Sequence, residues 1–236
     1  MTTVKINING RDLRPEAGVT IMEAAAEANI HIPNLCNNEE LNPYGACRLC
    51  MVEITDKKRT RLVASCIYQV SEGLVVNTES ERALNVRKLV IDLLLARNPD
   101  HPVLCEIADK LGVSGTSFAV EKNECILCGM CVRTCAEVVG VSAIGFKGRG
   151  QSRDVATPFD EAPADCIACG SCAYVCPVGV IPMEEKEGVR RIWNTDFVMK
   201  KCDTCGRDFA PEKQLAHFRK TYNLPEDQFD KCLNCR

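Results

Sequence analysis

Residues 125–135 read CILCGMCVRTC, and residues 166–177 read CIACGSCAYVCP. The spacing C-x2-C-x2-C-x3-C therefore occurs twice, with residues 136–165 between the two copies. The chain has 17 cysteines in 236 residues, and MTTVKINING at its start lacks the charged beginning and apolar core of a secretory signal. We therefore expect a reducing, cytoplasmic environment, in which clustered thiols bind metal more often than they form disulfides.

The doubled run is the pattern of bacterial two-cluster ferredoxins, in which each run supplies three thiolates to one 4Fe-4S cluster and its fourth to the other. Ala136 follows the first run where the pattern has proline, but the number of ligands is unchanged. Gly129 and Gly170 lie in two-residue loops, where the missing Cβ lets the backbone approach a cluster. The predicted ligand sets are Cys125, Cys128, Cys131 and Cys176 for one cluster, and Cys166, Cys169, Cys172 and Cys135 for the other.

The amino-terminal residues have the pattern of a small mixed domain. Residues 4–8, VKINI, alternate as a half-buried strand does, and Asn9-Gly10 predicts a hairpin turn into a second strand at 11–15. Thr20 and Glu23 form a capping-box pattern before a helix at 21–30. Together with later strands at MVEIT and TRLVAS, this order predicts a β-grasp domain.

Four cysteines of this first region have the spacing C-x10-C-x2-C-x15-C, and they are Cys36, Cys47, Cys50 and Cys66. The spacing resembles that of plant-type 2Fe-2S ferredoxins, although the first loop is longer than C-x4-C. A structural zinc site is the alternative, but the isolated first cysteine lacks the paired knuckles that zinc prefers. The pattern therefore favours one 2Fe-2S cluster.

The segments IPNLC, YGACRLCMVEI and LVASC, followed by the two cysteine runs with VVGVSAIGFKGRG between them, carry a family resemblance over roughly residues 1–185. They resemble the amino-terminal part of the large iron-sulfur subunit of respiratory complex I, and the equivalent subunits of NAD-linked and electron-bifurcating hydrogenases, formate dehydrogenases and transhydrogenases. The resemblance implies a flavin- and NAD(P)-binding partner subunit, a small 2Fe-2S subunit and ferredoxin as a further partner.

The connecting region departs from that family. Residues 80–97 have apolar residues at helical spacing, with Ser80 as the predicted cap. The family then has a His-x3-C-x2-C-x5-C site, whereas this chain keeps only His101 and Cys105. Two ligands cannot hold a cluster, so we expect His101 to be a surface or capping residue and Cys105 a small buried hydrophobic residue.

Two further stretches lack a clear site pattern. GFKGRGQSR, residues 145–153, is basic and glycine-rich but has no nucleotide-binding fingerprint, so it is interpreted as a surface turn, which could lie at a subunit contact. RRIWN, residues 190–194, predicts a strand, with Trp193 as a core or interface anchor.

The carboxyl-terminal cysteines form two C-x2-C pairs with residues 206–231 between them. Such pairs resemble zinc knuckles, but four thiolates also suit a further iron-sulfur cluster, and redox disulfides are a third alternative. His217 lies in a predicted helix and is left outside the ligand set. The predicted metal ligands are Cys202, Cys205, Cys232 and Cys235.

These patterns predict an α+β chain of four parts. They are a β-grasp 2Fe-2S domain at 1–78, a helical connector with the degenerate His-Cys site at 79–117, a dicluster 4Fe-4S domain at 118–187, and a small four-cysteine module at 188–236. The net charge is −3, from 29 basic and 32 acidic residues, so the chain lacks the excess of positive charge that is typical of nucleic-acid-binding proteins. No apolar run approaches the ~20 residues that span a bilayer, so we expect no membrane insertion.

Every strong sequence pattern thus predicts a site for an electron carrier, and no catalytic residue is assigned. The sequence favours a relay subunit of a multi-subunit NAD(P)-linked oxidoreductase, with flavin-based electron bifurcation in a transhydrogenase, hydrogenase or formate dehydrogenase. The alternatives are a free-standing multi-cluster ferredoxin and a zinc scaffold that holds an assembly together.

Overall fold

The computed structural model describes residues 2–57, 59–118 and 123–236. The chain divides into two compact units, Met1–Gly129 and Met130–Arg236. Among the described residues, no helix is long and apolar enough to cross a membrane.

The first unit contains a five-stranded sheet. Its strands are β1 Ile6–Ile8, β2 Arg11–Leu13, β3 Met51–Asp56, β4 Arg59–Ala64 and β5 Leu74–Asn77. Their order is β2-β1-β5-β3-β4, and β1 pairs parallel with β5 while the other neighbours are antiparallel. Asn9 and Gly10 adopt φ values of 51° and 82° between β1 and β2, which confirms the predicted hairpin turn.

The helix of this domain begins where the capping box predicted. The Glu23 amide donates to Thr20 Oγ1 at 3.2 Å, and the Thr20 amide donates to Glu23 Oε2 at 2.6 Å. Helix α1, Ile21–Glu27, ends earlier than predicted because Asn29 turns into the left-handed region at φ 58°. Ile21 and Ala25 are buried in the same apolar core as the sheet residues, so the helix lies on the sheet as in a β-grasp domain.

Two helices follow the sheet. Helix α2, Glu81–Arg97, is capped by Ser80, whose hydroxyl accepts from the Ala83 amide at 3.2 Å, as predicted. Helix α3, Pro102–Leu111, ends at Gly112 in the left-handed conformation. The segment after α3 is hydrogen-bonded to α2. Asp92 on α2 accepts hydrogen bonds from the amide and hydroxyl of Ser117 at 2.8 and 2.6 Å.

The second unit begins with short elements. They are helix α4 Met130–Arg133 with a π-helical turn at Thr134–Val138, strands β6 Gly145–Lys147 and β7 Asp154–Ala156, and helix α5 Ser171–Tyr174. Residues 145–153 were expected to form a surface turn. Residues 145–147 instead form β6, and residues 148–153 are the mostly exposed turn that joins β6 to β7. The Arg153 guanidinium, just before β7, lies 4.3 Å from the centre of the Phe146 ring on β6, a contact that sequence spacing does not reveal.

The remainder of the second unit is a four-stranded meander followed by one helix. Its elements are β8 Met183–Lys186, β9 Val189–Ile192, β10 Thr195–Lys201, β11 Asp208–Pro211 and α6 Glu212–Tyr222. The sheet order is β11-β10-β9-β8. The predicted strand at 190–194 is shorter than expected, because Trp193 and Asn194 form the tight turn into β10. The proposed domain boundary at 187/188 lies in the turn between β8 and β9.

Candidate metal centres

The four cysteines of the first domain lie as two pairs. Each of the four, Cys36, Cys47, Cys50 and Cys66, is at most 5 % exposed. Cys50 Sγ is 3.4 Å from Cys66 Sγ, and the thiols of Cys36 and Cys47 are hydrogen-bonded to each other. Two pairs of thiols suit a two-iron cluster in which each iron takes two cysteines.

Backbone amides point at these sulfurs. The Leu35 amide donates to Cys47 Sγ, and the Cys47 amide donates to Cys36 Sγ, both at 3.4 Å. Hydrogen bonding between the Cys50 and Cys66 thiols lowers the pKa of Cys50 to about 6, whereas the same bonding and burial raise the pKa of Cys66. Metal binding must therefore displace protons from part of the set, after which the same amides would stabilise the thiolates.

A buried cation lies beside this site. Arg87, on α2, is 4 % exposed, and its Nε and Nη2 donate to the Met51 carbonyl at 3.0 and 2.7 Å. Met51 follows Cys50 directly. No pattern along the chain singles out this arginine, because its partner is 36 residues away.

In the second unit, a single cavity collects four predicted ligands from both cysteine runs. Cys135 comes from the π-helical turn, and Cys166, Cys169 and Cys172 come from the loop before α5 and from α5 itself. Apolar side chains, including Val139 and Ile192, line the rest of the wall. The Ala143 amide donates to Cys135 Sγ at 3.2 Å, and burial raises the pKa of Cys172 to about 11. The cavity therefore joins the cysteines that the crossed pattern assigned to one cluster.

The two cysteine runs share a local backbone turn. Leu127 and Ala168 have φ values of 54° and 56°, and each amide donates to the sulfur two residues earlier at 3.4 Å. Gly170 has φ 79°, and a Cβ there would lie 2.7 Å from Met183 Sδ. The backbone conformation of this residue therefore favours glycine, and the flexible end of Met183 from β8 would have to shift to admit a Cβ.

The other predicted ligand set is divided between the two units. Cys125 and Cys128 belong to the first unit, and Cys131 and Cys176 belong to the second. Cys128 and Cys131 are buried, and the remaining two are half-buried. Arg97, at the end of α2, donates from Nε to the Cys125 carbonyl at 2.7 Å.

The four carboxyl-terminal cysteines form the most compact thiol group. Their sulfurs all lie within 4.8 Å of one another, and no other set of three or more candidate ligands does so among the residues that the structure describes. Four thiolates about 2.3 Å from one zinc ion lie about 3.8 Å apart at the corners of a tetrahedron. Cys205 Sγ and Cys232 Sγ are 3.8 Å apart. The group therefore fits a single ion better than a cube, whose iron atoms would spread the thiolates further.

Local contacts prepare part of this group for metal binding. The Cys232 amide donates to Cys202 Sγ at 3.3 Å and lowers the pKa of Cys202 to about 6. The Arg207 side chain lowers the pKa of Cys205. Hydrogen bonds with the neighbouring thiols of Cys205 and Cys232 raise the pKa of Cys235 to about 12, so this thiol would release its proton on metal binding.

The residues left outside the ligand sets differ in their contacts, and His101 Nδ1 is buried without a hydrogen-bond partner. His101 occupies the N-cap position of α3 without a side-chain capping bond, and it is half-buried. Cys105 is half-buried rather than buried as expected, because its Sγ lies 3.4 Å from the Pro99 carbonyl near the surface. His217 Nε2 lies 3.4 Å from Thr221 Oγ1 on the same helix.

Two residues from β9 and the turn that follows it contact the cavity region and were not predicted to do so. Arg190, on β9, donates from Nη1 to the Ala168 carbonyl at 2.7 Å. Trp193, which is half-buried and packs against the apolar core, lines the cavity and hydrogen-bonds to the Cys172 thiol. The alternation of β9 offered a partial signal, since it places Arg190 on the same buried face as Ile192.

Comparison with family models matches residues 1–81 to a 2Fe-2S iron-sulfur cluster binding domain and residues 124–180 to a 4Fe-4S dicluster domain. The chain contains both iron-sulfur domains that the cysteine spacing predicted. Together with the four-cysteine group, they confirm the predicted α+β fold class.

Curated relatives extend the likeness over most of the chain. It is 32% identical over 230 residues to an NADH-quinone oxidoreductase subunit of Rhizobium meliloti, covering 86% of this chain and 27% of the relative. It is 31% identical over 233 residues to the HndD subunit of the NADP-reducing hydrogenase of Solidesulfovibrio fructosivorans, covering 84% and 40%. The chain thus spans less than half the length of these relatives.

A solved structure shows the same fold. The crystal structure of an NAD+-reducing [NiFe]-hydrogenase in the H2-reduced state includes a chain that matches with a TM-score of 0.65 and 27% identity. The match covers 75% of this chain and 85% of that one. The resemblance to iron-sulfur subunits of NAD(P)-linked oxidoreductases is therefore confirmed.

Proposed function

We propose that this chain is the electron-relay subunit of a multi-subunit NAD(P)-linked oxidoreductase. The observation that carries the proposal is the cavity that gathers Cys135 with Cys166, Cys169 and Cys172, in a chain that also has a β-grasp domain with two buried thiol pairs. When bound, iron-sulfur clusters supply one-electron transfer without proton or hydride chemistry.

The residues of the chain would place and insulate these carriers. Twelve cysteines would hold one 2Fe-2S and two 4Fe-4S clusters in the sets predicted from the spacing. Amides such as those of Leu35 and Ala143 would stabilise the thiolates. Apolar walls that include Val139 and Ile192 would exclude water from the cavity of the second unit.

The carboxyl-terminal group would hold one structural zinc ion. Its four sulfurs approach one another as closely as a single tetrahedral ion requires. A closed four-thiolate site leaves no position open for substrate, so its role would be to fix the fold of the module. The ligands would be Cys202, Cys205, Cys232 and Cys235.

The partners follow from the chemistry of nicotinamide. Hydride carries two electrons, so a flavin on another polypeptide must divide the pair before single electrons enter clusters. We infer a flavin- and NAD(P)-binding subunit and a small 2Fe-2S subunit, with ferredoxin as a further electron partner. Electron bifurcation in a cytoplasmic transhydrogenase, hydrogenase or formate dehydrogenase is the finer form of this proposal. The relatives named NADH-quinone oxidoreductase and NADP-reducing hydrogenase support the NAD(P) linkage on which it rests.

The first experiment is metal analysis and EPR on protein purified without oxygen. We expect about ten irons and about one zinc per chain, and three paramagnetic centres on reduction, from one two-iron and two four-iron clusters. A colourless preparation without acid-labile sulfide would overturn the proposal.

A second experiment tests whether the chain works as a subunit of a larger complex. Affinity purification of the tagged protein from its native cell should recover a flavin-containing subunit in stoichiometric amount. Recovery of a cluster-bearing monomer alone would instead support a free-standing ferredoxin.

A further inference from the structure

Each predicted cluster has an arginine from outside the cysteine runs that donates to a backbone carbonyl at a ligand loop. Arg87 binds the carbonyl of Met51, which follows the ligand Cys50. Arg97 binds the carbonyl of the ligand Cys125 itself, at 2.7 Å. Arg190 binds the carbonyl of Ala168, which precedes the ligand Cys169, also at 2.7 Å. The same contact thus recurs at three separate cysteine loops.

None of these arginines belongs to a cysteine loop. Two lie on α2, and the third lies on β9 of the meander sheet. Arg87 and Arg190 are only 4 % and 8 % exposed, and Arg97 is half-buried with its Nη2 buried and unpaired. A cation is costly to bury unless a negative charge lies nearby. Arg190 is paired with the Glu185 carboxylate, whereas Arg87 and Arg97 donate to the uncharged carbonyls named above, so these two in particular call for a compensating negative charge.

The proposed clusters would supply that charge. Arginine remains protonated in proteins, so its charge is fixed. A cluster held by four thiolates is anionic and becomes more negative when it gains an electron. A nearby fixed cation therefore favours the reduced state and raises the reduction potential, which depends on net charge and hydrogen bonding around the cluster.

We propose that Arg87, Arg97 and Arg190 are positioning residues that set the potentials of the three clusters, one arginine for each. Each holds the backbone of a ligand loop and adds a fixed positive charge beside it. Reduction adds one electron from an external reductant to the cluster, and no bond forms or breaks. This inference rests on the proposed cluster ligands.

Arg190 allows the sharpest test, because Arg191 beside it is a matched control. Arg191 is exposed, with its Nη1 3.6 Å from Asp196 Oδ1. In an EPR-monitored redox titration of the full chain, R190Q should lower the ratio of reduced to oxidised cluster at a fixed potential for one 4Fe-4S centre. A factor on the order of tenfold is expected, which is about 59 mV for a one-electron couple. R191Q should leave all centres unchanged.

Glu185 provides a test of opposite sign. Its half-exposed carboxylate accepts from Arg190 Nε at 2.8 Å and partly offsets the arginine charge. E185Q should therefore raise the potential of the same centre, by less than R190Q lowers it because solvent screens Glu185. A purely structural role for Arg190 would not produce shifts of opposite sign.

Arg87 repeats the test at the 2Fe-2S centre, whose EPR signal is distinct. R87Q should shift that centre alone to lower potential, and K88Q on the exposed side of α2 should not. If the glutamine variants lose iron, R87K and R190K keep the charge and should give potentials close to wild type. Loss of iron from the lysine variants as well would assign these arginines a purely structural role and overturn the inference.

The outcomes separate this inference from the proposed function. Wild-type protein without three centres would remove the ligand assignment on which both depend. Three wild-type centres, with unchanged potentials in fully loaded R190Q and R87Q, would overturn only the role of the arginines.

Discussion

The two outermost four-cysteine sites differ in what surrounds them. The first site lies in a domain whose apolar core is formed by helix α1 packed against the five-stranded sheet. Its cysteines are Cys36, Cys47, Cys50 and Cys66. At the carboxyl terminus, Cys205 is exposed, helix α6 buries only Leu215, and the turns at Glu226–Phe229 and Leu233–Cys235 bury no residue. The first site is embedded in a fold that apolar burial stabilises, whereas we expect the last to depend on the ion that it would hold.

The largest expected effect is loss of the carboxyl-terminal metal. The double variant Cys202→Ser with Cys232→Ser should lose about one zinc per chain, and amide hydrogen exchange should become fast across residues 202–236. Structural zinc contributes roughly 10–16 kcal/mol in small zinc modules, more than so few buried side chains can replace. Iron content and exchange in residues 2–57 should stay unchanged.

Cys105→Ser is the control, because Cys105 belongs to no predicted ligand set. Loss of iron and of an EPR signal from the double variant would show that the site holds a cluster instead of zinc. Loss of the partner subunits with all iron retained would give the module a scaffolding role.

A core substitution should have the next largest effect. Ile54 on β3 is fully buried, so Ile54→Ala should lower the free energy of unfolding of the first domain by about 2–5 kcal/mol. Urea denaturation followed by the visible absorbance of the 2Fe-2S centre measures the change. Val75→Ala, on the exposed face of β5, should change it by less than about 0.5 kcal/mol. Equal effects of the two variants would contradict the view that the core stabilises this site.

The helix caps should matter less. Helix α1 has a complete capping box, whereas α6 begins at Pro211 without a side-chain cap. Thr20→Ala should destabilise the first domain by about 1 kcal/mol, because the Glu23 amide loses its acceptor. Glu23→Gln keeps an acceptor for the Thr20 amide and should change little in the same urea titration. A large effect of the glutamine variant would show that charge, not capping, is important.

The smallest effect is expected at the connector, where a surface carboxylate holds a loop. Hydrogen bonds from Ser117 lower the pKa of Asp92 below its usual 3.8. The stabilisation that these hydrogen bonds give the folded loop is complete above pH 3.8. It is lost as pH falls through the lowered pKa of Asp92, when the folded carboxylate gains a proton. Exchange protection of the Ser117 amide, measured by NMR, should therefore fall at the acid end. In Asp92→Asn this pH dependence should disappear.

Local chemistry made part of this molecule predictable. The Asn9-Gly10 turn, the Thr20–Glu23 capping box and the Ser80 cap each depend on residues within three positions of one another, and all appear where the sequence placed them. The hairpin at β6 and β7 was not recognised, since its strands are only three residues long. Periodicity over so few residues carries little signal.

The sequence by itself determined the cysteine spacing, the two iron-sulfur domains and the elements with local caps and turns, because these depend on short-range backbone geometry. Tertiary structure alone decided which side chains surround the thiols: Arg87 reaches Met51, Arg190 reaches Ala168, and Trp193 reaches Cys172. It also brought the four terminal sulfurs within reach of one ion, although residues 206–231 separate the two pairs. Such contacts depend on how distant elements pack, and no pattern along the chain encodes that distance.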